Sequence, residues 1–339
     1  MSTAIATQVT PERIMQLSWG YAPPLILEAA IRHRVFDVLD AGPKNIDELH
    51  AATGASLRGL AAIANVMVAL DFLAKDEQGT FTLTPESAAF LVRTKPGFMG
   101  GLILHLSNQL IPKWLEINEI VATGVPASRV NQQDAGSAFF EQFVVDIFPM
   151  SYPAAKTLAA HFRFNSAPQP ISVLDLAAGS GVWGIAIAQS SPQVRVTAVD
   201  WPAVLSITEK TVAKFGLSDR FKFSAGDLLS ADFGSGHQVA TLGHILHSEG
   251  EARSRDLLAK TFDALASGGT IVVAEFLVNK ERTGPVNGLI FAVNMLVNTE
   301  HGNTWSFEEI SSWLTDAGFV NPRTVDAPGP SPLILATKP

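Results

Sequence analysis

The residues best suited to chemistry are concentrated in VLDLAAGSGVWG, where an apolar run ends in an acid, Asp175, four residues before the glycines Gly179, Gly181 and Gly184. Glycines at this spacing let a strand turn sharply, let backbone approach a ligand and let a helix start close beside the strand. The spacing matches the GxGxxG of nicotinamide dinucleotide sites, but S-adenosylmethionine sites have the same needs. Asp175 separates the two. A dinucleotide brings a doubly negative pyrophosphate to the helix N-terminus, where a strand-end carboxylate repels it. S-adenosylmethionine has no phosphate, and its ammonium and sulfonium are favoured by such a carboxylate. The competing reading of Asp175 is an ordinary helix-capping or loop acid.

Further acids follow at corresponding places. Asp200 closes the next β-branched run, where either cofactor class needs a carboxylate for the ribose hydroxyls. Trp201 beside it can lie on the adenine, with core filling as the alternative. Asp227, in AGDLL, can accept from the adenine amino group, with a turn acid as the alternative. The cofactor-facing set is therefore Asp175, Ala177, Gly179, Gly181, Asp200, Trp201, Gly226, Asp227 and Leu228. A separate stretch, GLIFAVNMLVNTEHGNTWSFEEI, places Phe291, Asn294, Met295 and Asn298 on one helical face. With Phe143 and Met150 they predict a mostly apolar acceptor pocket carrying two amides; the alternative is that the Met and Phe residues are plain core.

Two domains must position these residues. The chain has 339 residues, 47% of them hydrophobic, which suits a globular protein with a substantial core. A net charge of −8 and a pI near 5.5 argue against a broad nucleic-acid surface, which needs clustered Lys and Arg. There is no cysteine, so disulfides, thiolate nucleophiles and Cys-ligated zinc are excluded. The opening MSTAIATQVTPER has neither the basic nor the apolar region of a secretory signal, and no unbroken run of about 18 apolar residues occurs. The expectation is a cytoplasmic protein with no membrane partner.

Residues 1–105 predict a helical domain. Apolar residues recur at helical spacing from Pro11 to Leu39, and Pro23 and Pro24 suggest a break into two helices. Helices over Ile46 to Thr53 and Leu57 to Phe72, split by Gly54, precede a strand-like Thr80 to Leu83 and a helix at Pro85. This is a winged-helix outline. The helix from Leu57 has Arg58 as its only basic residue and an apolar face of Leu60, Ile63, Val66, Met67 and Leu70, so packing or dimerisation is favoured over reading DNA. Residues 106–339 predict the catalytic domain, with linking helices over 106–165 and a linker at 166–170. Short β-branched runs at Ile171 to Leu176, Val194 to Val199, Phe221 to Ser224, Val239 to Leu246 and Thr270 to Ala274 alternate with helices, which predicts a doubly wound α/β fold with a parallel sheet. Val320 to Val325 and Pro332 to Thr337 predict an antiparallel edge hairpin, making seven strands. Ligands belong at the strands' carboxyl ends.

VLDLAAGSG, AVD, AGDLL, HILHSEGE and VVAEF, in this order behind a winged-helix-like region, resemble the small-molecule O-methyltransferase family. That family includes plant caffeate, acetylserotonin-type and bacterial natural-product enzymes of secondary metabolism, and the resemblance spans nearly the whole chain. It implies a Rossmann-like methyltransferase domain, S-adenosylmethionine as cofactor with S-adenosylhomocysteine as product, a homodimer joined through the N-terminal domain, and no metal. It also implies that Trp19 and Tyr21 reach toward the partner's pocket. In the family a histidine after the fourth strand removes the acceptor's proton; His247 matches it, and Glu275 matches the acid that holds it. His247 follows a predicted central strand and Glu275 the next, with His244 and Glu251 as local competitors. A histidine titrating near 6.5 suits deprotonation of a phenol with a pKa of about 10. Departures are also present. Ser248 and Glu249 replace the usual Asp and Trp, Gly243 replaces a lysine, Ala177 and Ala178 stand where glycines are common, and the second flanking acid falls at Thr304, with Glu300 close by.

The leading expectation is thus methyl transfer to a hydroxyl of a small aromatic or polyketide-like molecule. The altered surroundings of His247 keep C- or N-methylation, or a non-methylating relative, as alternatives. A winged-helix regulator that senses a metabolite through its α/β domain is the alternative of another class.

Overall fold

The computed structural model describes residues 9–162, 164 and 170–339; of the expected linker at 166–170, only Pro170 is among them. The chain divides into two compact units, one ending at Leu110 and one running from Ile111 to Pro339.

In the first unit, the periodic segment forms three helices rather than two: α1 (Glu12–Ser18), α2 (Ala22–Arg32) and α3 (Val35–Asp40). Pro23 and Pro24 begin α2 instead of breaking it, because a missing N–H in the first turn costs no helical hydrogen bond. α4 (Ile46–Thr53) starts in a capping box between Asn45 and Glu48 and ends at Gly54, which takes a left-handed φ of +71°. α5 (Leu57–Ala69) is capped by Ser56, whose hydroxyl accepts from Gly59 N–H at 3.1 Å. β1 (Leu73–Lys75) and β2 (Phe81–Leu83) pair antiparallel, and α6 (Pro85–Phe90) and α7 (Gly100–Leu104) follow. Leu60 and Met67 of α5 are buried against Ile31, Phe36, Leu49 and Phe81, so the apolar face of α5 is spent on the core. Leu70 at its end is exposed. A π-helical turn, Leu106–Leu110, stays with this unit, although the division expected after residue 105 assigns it to the second. Buried Glu28 holds the turn, accepting from the Ser107 hydroxyl at 2.6 Å.

The second unit opens with α8 (Ile111–Trp114), α9 (Ile117–Thr123), α10 (Gln133–Asp146) and α11 (Phe148–Phe162). Strands and helices then alternate: β3 (Ile171–Leu176), α12 (Val182–Ser190), β4 (Val194–Asp200), α13 (Pro202–Lys214), β5 (Phe221–Ala225), β6 (His237–Gly243), α14 (Leu246–Ala264) and β7 (Leu265–Ala274). The chain finishes with β8 (Leu277–Val278), α15 (Val286–Asn298), β9 (Trp305–Ser306), α16 (Phe307–Asp316), β10 (Val320–Val325) and β11 (Leu333–Thr337). β8 and β9 form a separate parallel pair.

The seven-stranded sheet runs β10-β11-β7-β6-β3-β4-β5. β3 to β7 pair in parallel, while β11 pairs antiparallel with both β7 and β10. Alternate residues serve opposite faces. Val173, Val239, Val272 and Leu335 pack with α11, α12 and α13, whereas Leu174, Leu242, Val273 and Ile334 pack with α14 and α16. Burial on both faces explains why the strands read as near-continuous apolar runs. The chain leaves β3 toward β4 and β5 and then returns to β3's other side at β6. That reversal opens a crevice at the carboxyl ends of β3 and β6. Among the described residues no single helix is long and apolar enough to cross a membrane, and no group of three or more His, Asp or Glu is placed to hold a metal.

Candidate active site

The turn after β3 is built from unusual backbone. Gly179 and Gly181 have φ of +56° and +78°, and Ala177 has φ +51°. The left-handed region costs a non-glycine residue about 1–2 kcal/mol, so Ala177 is held there against its own preference. At Gly184 a Cβ would lie 2.9 Å from both Asp175 Oδ2 and Val196 Cγ1, which is why α12 can start so close to the sheet.

Asp175 corrects the simple electrostatic expectation. Its side chain is fully buried, Oδ2 accepts from Gly184 N–H at 2.9 Å and Oδ1 from the Thr241 hydroxyl at 2.7 Å. The carboxyl group therefore ties the glycine turn to β6 instead of facing a ligand. Burial pushes its pKa up to about 7, against the pull of the two hydrogen bonds.

Asp200 is the acid that faces the crevice. Its oxygens accept from Gly179 N–H at 2.9 Å and Trp201 N–H at 2.7 Å, and each keeps a lone pair for a ligand hydroxyl. Burial raises it to about 6. Trp201 begins α13, and its six-membered ring abuts Gly136 and lies 6.2 Å from the Phe140 ring. It is packed under α10, so adenine stacking is not its only occupation. Gly226 follows β5 with φ +152°. Asp227 Oδ1 accepts from Leu229 N–H at 2.9 Å and Oδ2 from Arg253 at 2.8 Å. Leu228 is buried in the core. The glycine turn, Asp200 and Asp227 lie together at the carboxyl ends of β3, β4 and β5, with Arg253 held on Asp227, and these residues fit S-adenosylmethionine.

His247 stands in the first turn of α14. Its Nδ1 lies 2.8 Å from Glu275 Oε2, and its backbone N–H donates to Glu275 Oε1 at 3.2 Å. Glu275 is 1% exposed and the imidazole 12%. Nε2 therefore faces the crevice with no protein partner among the described residues. Burial works to raise Glu275, but the charge and hydrogen bonds of His247 prevail and hold it below the usual carboxylate range. Asn303 N–H donates to His247 O at 2.8 Å and Trp305 Nε1 to Leu246 O at 3.2 Å, fixing the helix start. The competitors fall away on geometry. His244 Nε2 is taken by the Ser331 hydroxyl at 2.9 Å, and burial drives this histidine down to about 4. Glu251 pairs with Arg255 at the surface. No second acid flanks His247 from the expected place: Thr304 is fully buried with its hydroxyl unpartnered among the described residues, and Glu300 pairs with Arg129.

Of the acceptor set, Phe291 meets His247 edge-on at 4.9 Å and lies 4.1 Å from Phe276. The two amides are more committed than expected. Asn294 Oδ1 accepts from Trp114 Nε1 at 3.1 Å. Buried Asn298 donates to Asn294 and accepts from Ser128, so it serves the fold, and Met295 is buried beside it. Phe143 lies 4.8 Å from Phe139, and Met150 is half-buried on α11. Trp19 belongs to the first unit, exposed and stacked on Tyr21 at 6.4 Å. Sequence reasoning missed Thr241, Phe276, Arg253 and Trp183. Trp183 lies directly against Gly243, and the only signal for it was a glycine where the resemblance has a lysine.

Residues 137–320 match the O-methyltransferase domain family and residues 15–93 the O-methyltransferase dimerisation domain. A 3-hydroxy-5-methyl-1-naphthoate 3-O-methyltransferase from Streptomyces sahachiroi is 30% identical, over 97% of this chain and 95% of that protein. Among solved structures, a Nostoc punctiforme protein assigned as an O-methyltransferase aligns with a TM-score of 0.88 and 27% identity, covering 98% of this chain and 100% of that one. Human N-acetylserotonin methyltransferase, solved with S-adenosylmethionine, aligns at 0.84 with 21% identity, covering 100% and 99%, a likeness of fold. A family match over more than half the chain, on a sheet whose switch-point turn suits this cofactor, establishes that the chain belongs to the S-adenosylmethionine-dependent O-methyltransferases.

Proposed function

We propose that the protein methylates a hydroxyl of a small, flat aromatic or polyketide-like molecule, with His247 as general base. The observation that carries this reading is the His247–Glu275 pair, which engages Nδ1 and leaves Nε2 turned to the crevice. S-adenosylmethionine, when bound, supplies a methyl group on a cationic sulfur that is open to in-line attack. Asp200, Asp227 and the turn from Ala177 to Gly181 would hold it. Placing the acceptor oxygen in line is the largest contribution the protein makes. His247 Nε2 receives the hydroxyl proton, and Glu275 orients the ring and stabilises the imidazolium so formed. Phe291 and Phe276 present aromatic surface beside the base, which suits a planar acceptor.

The exposed apolar residues of α1 support a homodimer formed through the N-terminal unit, in which Trp19 and Tyr21 reach the partner's pocket. The cytoplasm is the proposed location. A C- or N-methyltransferase is the second reading, favoured by the unpartnered Thr304 where a second acid would assist the base.

Incubation with labelled S-adenosylmethionine and a panel of phenols, read by mass spectrometry, tests the main reading. His247→Ala is expected to lower hydroxyl methylation roughly a hundredfold to ten-thousandfold, with S-adenosylmethionine binding retained in calorimetry. An unchanged rate would point to a positioned carbon or nitrogen acceptor that needs no base.

A further inference from the structure

Lys113, on α8, is a half-buried cation with an unusual environment. Its ammonium lies 5.0 Å from the centroid of the Phe139 ring, and no carboxylate pairs with it among the described residues. Three other half-buried lysines are provided for: Lys95 pairs with Asp40 at 3.0 Å, and Lys260 and Lys338 donate to backbone carbonyls. A cation–π contact offsets only part of the desolvation of an ammonium. Burial accordingly holds Lys113 below the usual lysine range, with no acid opposing the shift.

Its position gives this cost a purpose. Trp114, the next residue, donates to Asn294 on α15, and one turn back on the same helix Phe291 meets His247 edge-on. α8 is thus packed against the helix whose Phe291 touches the base. On Lys113's other side, Phe139 leads through Phe140, 5.1 Å away, to Trp201 at the end of β4. The cation thus sits over an aromatic row that ends beside the cofactor cradle, on a helix packed against the one that carries Phe291.

We propose that Lys113 is the acceptor-recognition residue of this site, and that the acceptor is an aromatic acid whose carboxylate pairs with the Lys113 ammonium while its hydroxyl reaches His247. The carboxylate supplies the partner that the chain itself lacks, and Phe139 holds the ammonium in place. This inference rests on the methyltransferase reading above.

The test is calorimetric titration of the S-adenosylhomocysteine-loaded protein with 1-naphthoate and with 1-naphthylmethanol, which has the same ring frame without the charge. The acid is expected to bind about tenfold or more tightly. Lys113→Met, which keeps the apolar stem, should bring the ratio to about one, and Lys113→Arg should retain it, with S-adenosylhomocysteine affinity reporting that each variant folds. Independently of any variant, the wild-type ratio should fall as pH rises from 7 toward 10 and the ammonium loses its proton. Equal affinities in the wild type, binding of neither compound, or a ratio untouched by Lys113→Met would overturn the proposal. Failure of S-adenosylhomocysteine itself to bind would instead strike at the methyltransferase reading.

Discussion

Asp175 shows how one residue type can be foreseen while its job is not. An acid at this point of the turn was legible from spacing, but its carboxyl group is turned inward onto Gly184 and Thr241, and burial raises it to about 7. The consequence for stability has a definite sign. An unfolded Asp titrates near 3.9, so between about pH 4 and 7 the folded chain keeps a proton that the unfolded chain releases. Stability contributed by the neutral group is full below pH 4 and lost as pH rises to about 7. Asp175→Asn removes that dependence. Its melting temperature relative to wild type should therefore climb across this window, and parallel curves would refute the assignment. Asp200, raised to about 6, adds a slope of its own to both proteins, and its charge is one of the causes that raise Asp175.

Among the elements, β3 and β10 have the limits expected from the sequence, and β3 is a mostly apolar run bounded by Pro170 and the glycine turn. The expected strand at Val239 to Leu246 instead ends at Gly243. His244 takes φ +62° and donates to Ala274 O, so the apolar residues that follow start α14. β7 begins at Leu265 rather than Thr270, because a register shift opposite His237 carries Ser267-Gly268-Gly269 within the strand, where those residues read locally as a turn. Contact with a neighbouring strand decided both boundaries. The approach of α12 to β3 and β4 has a similar origin at Gly184. Gly184→Ala is expected to cost about 1–3 kcal/mol in denaturant unfolding, since neither Val196 nor the Asp175 carboxyl group can withdraw. Unchanged unfolding would mean that the helix has room to move.

At the scale of the whole molecule, α1 buries none of its residues, and Ile14, Leu17, Trp19 and Tyr21 stand exposed in a segment overlapping the matched dimerisation domain. A cluster of this kind calls for a protein partner. Ile14→Ser with Leu17→Ser should shift the protein from dimer to monomer in light scattering, and a dimer that survives both changes would place the interface elsewhere. The amino-acid sequence by itself determined the alternation of strands and helices, the glycine turn, the acids at successive strand ends and the family. Each of these is a local pattern of period, spacing or residue type that needs no knowledge of distant chain. Only the tertiary structure decided where those side chains point. Thr241, 66 residues away, takes an oxygen of Asp175, and Trp114, 180 residues away, takes the amide oxygen of Asn294. Hydrogen bonds and packing between segments remote in sequence leave no periodic trace, so the division between ligand-facing and fold-holding groups emerges only when the sheet is assembled.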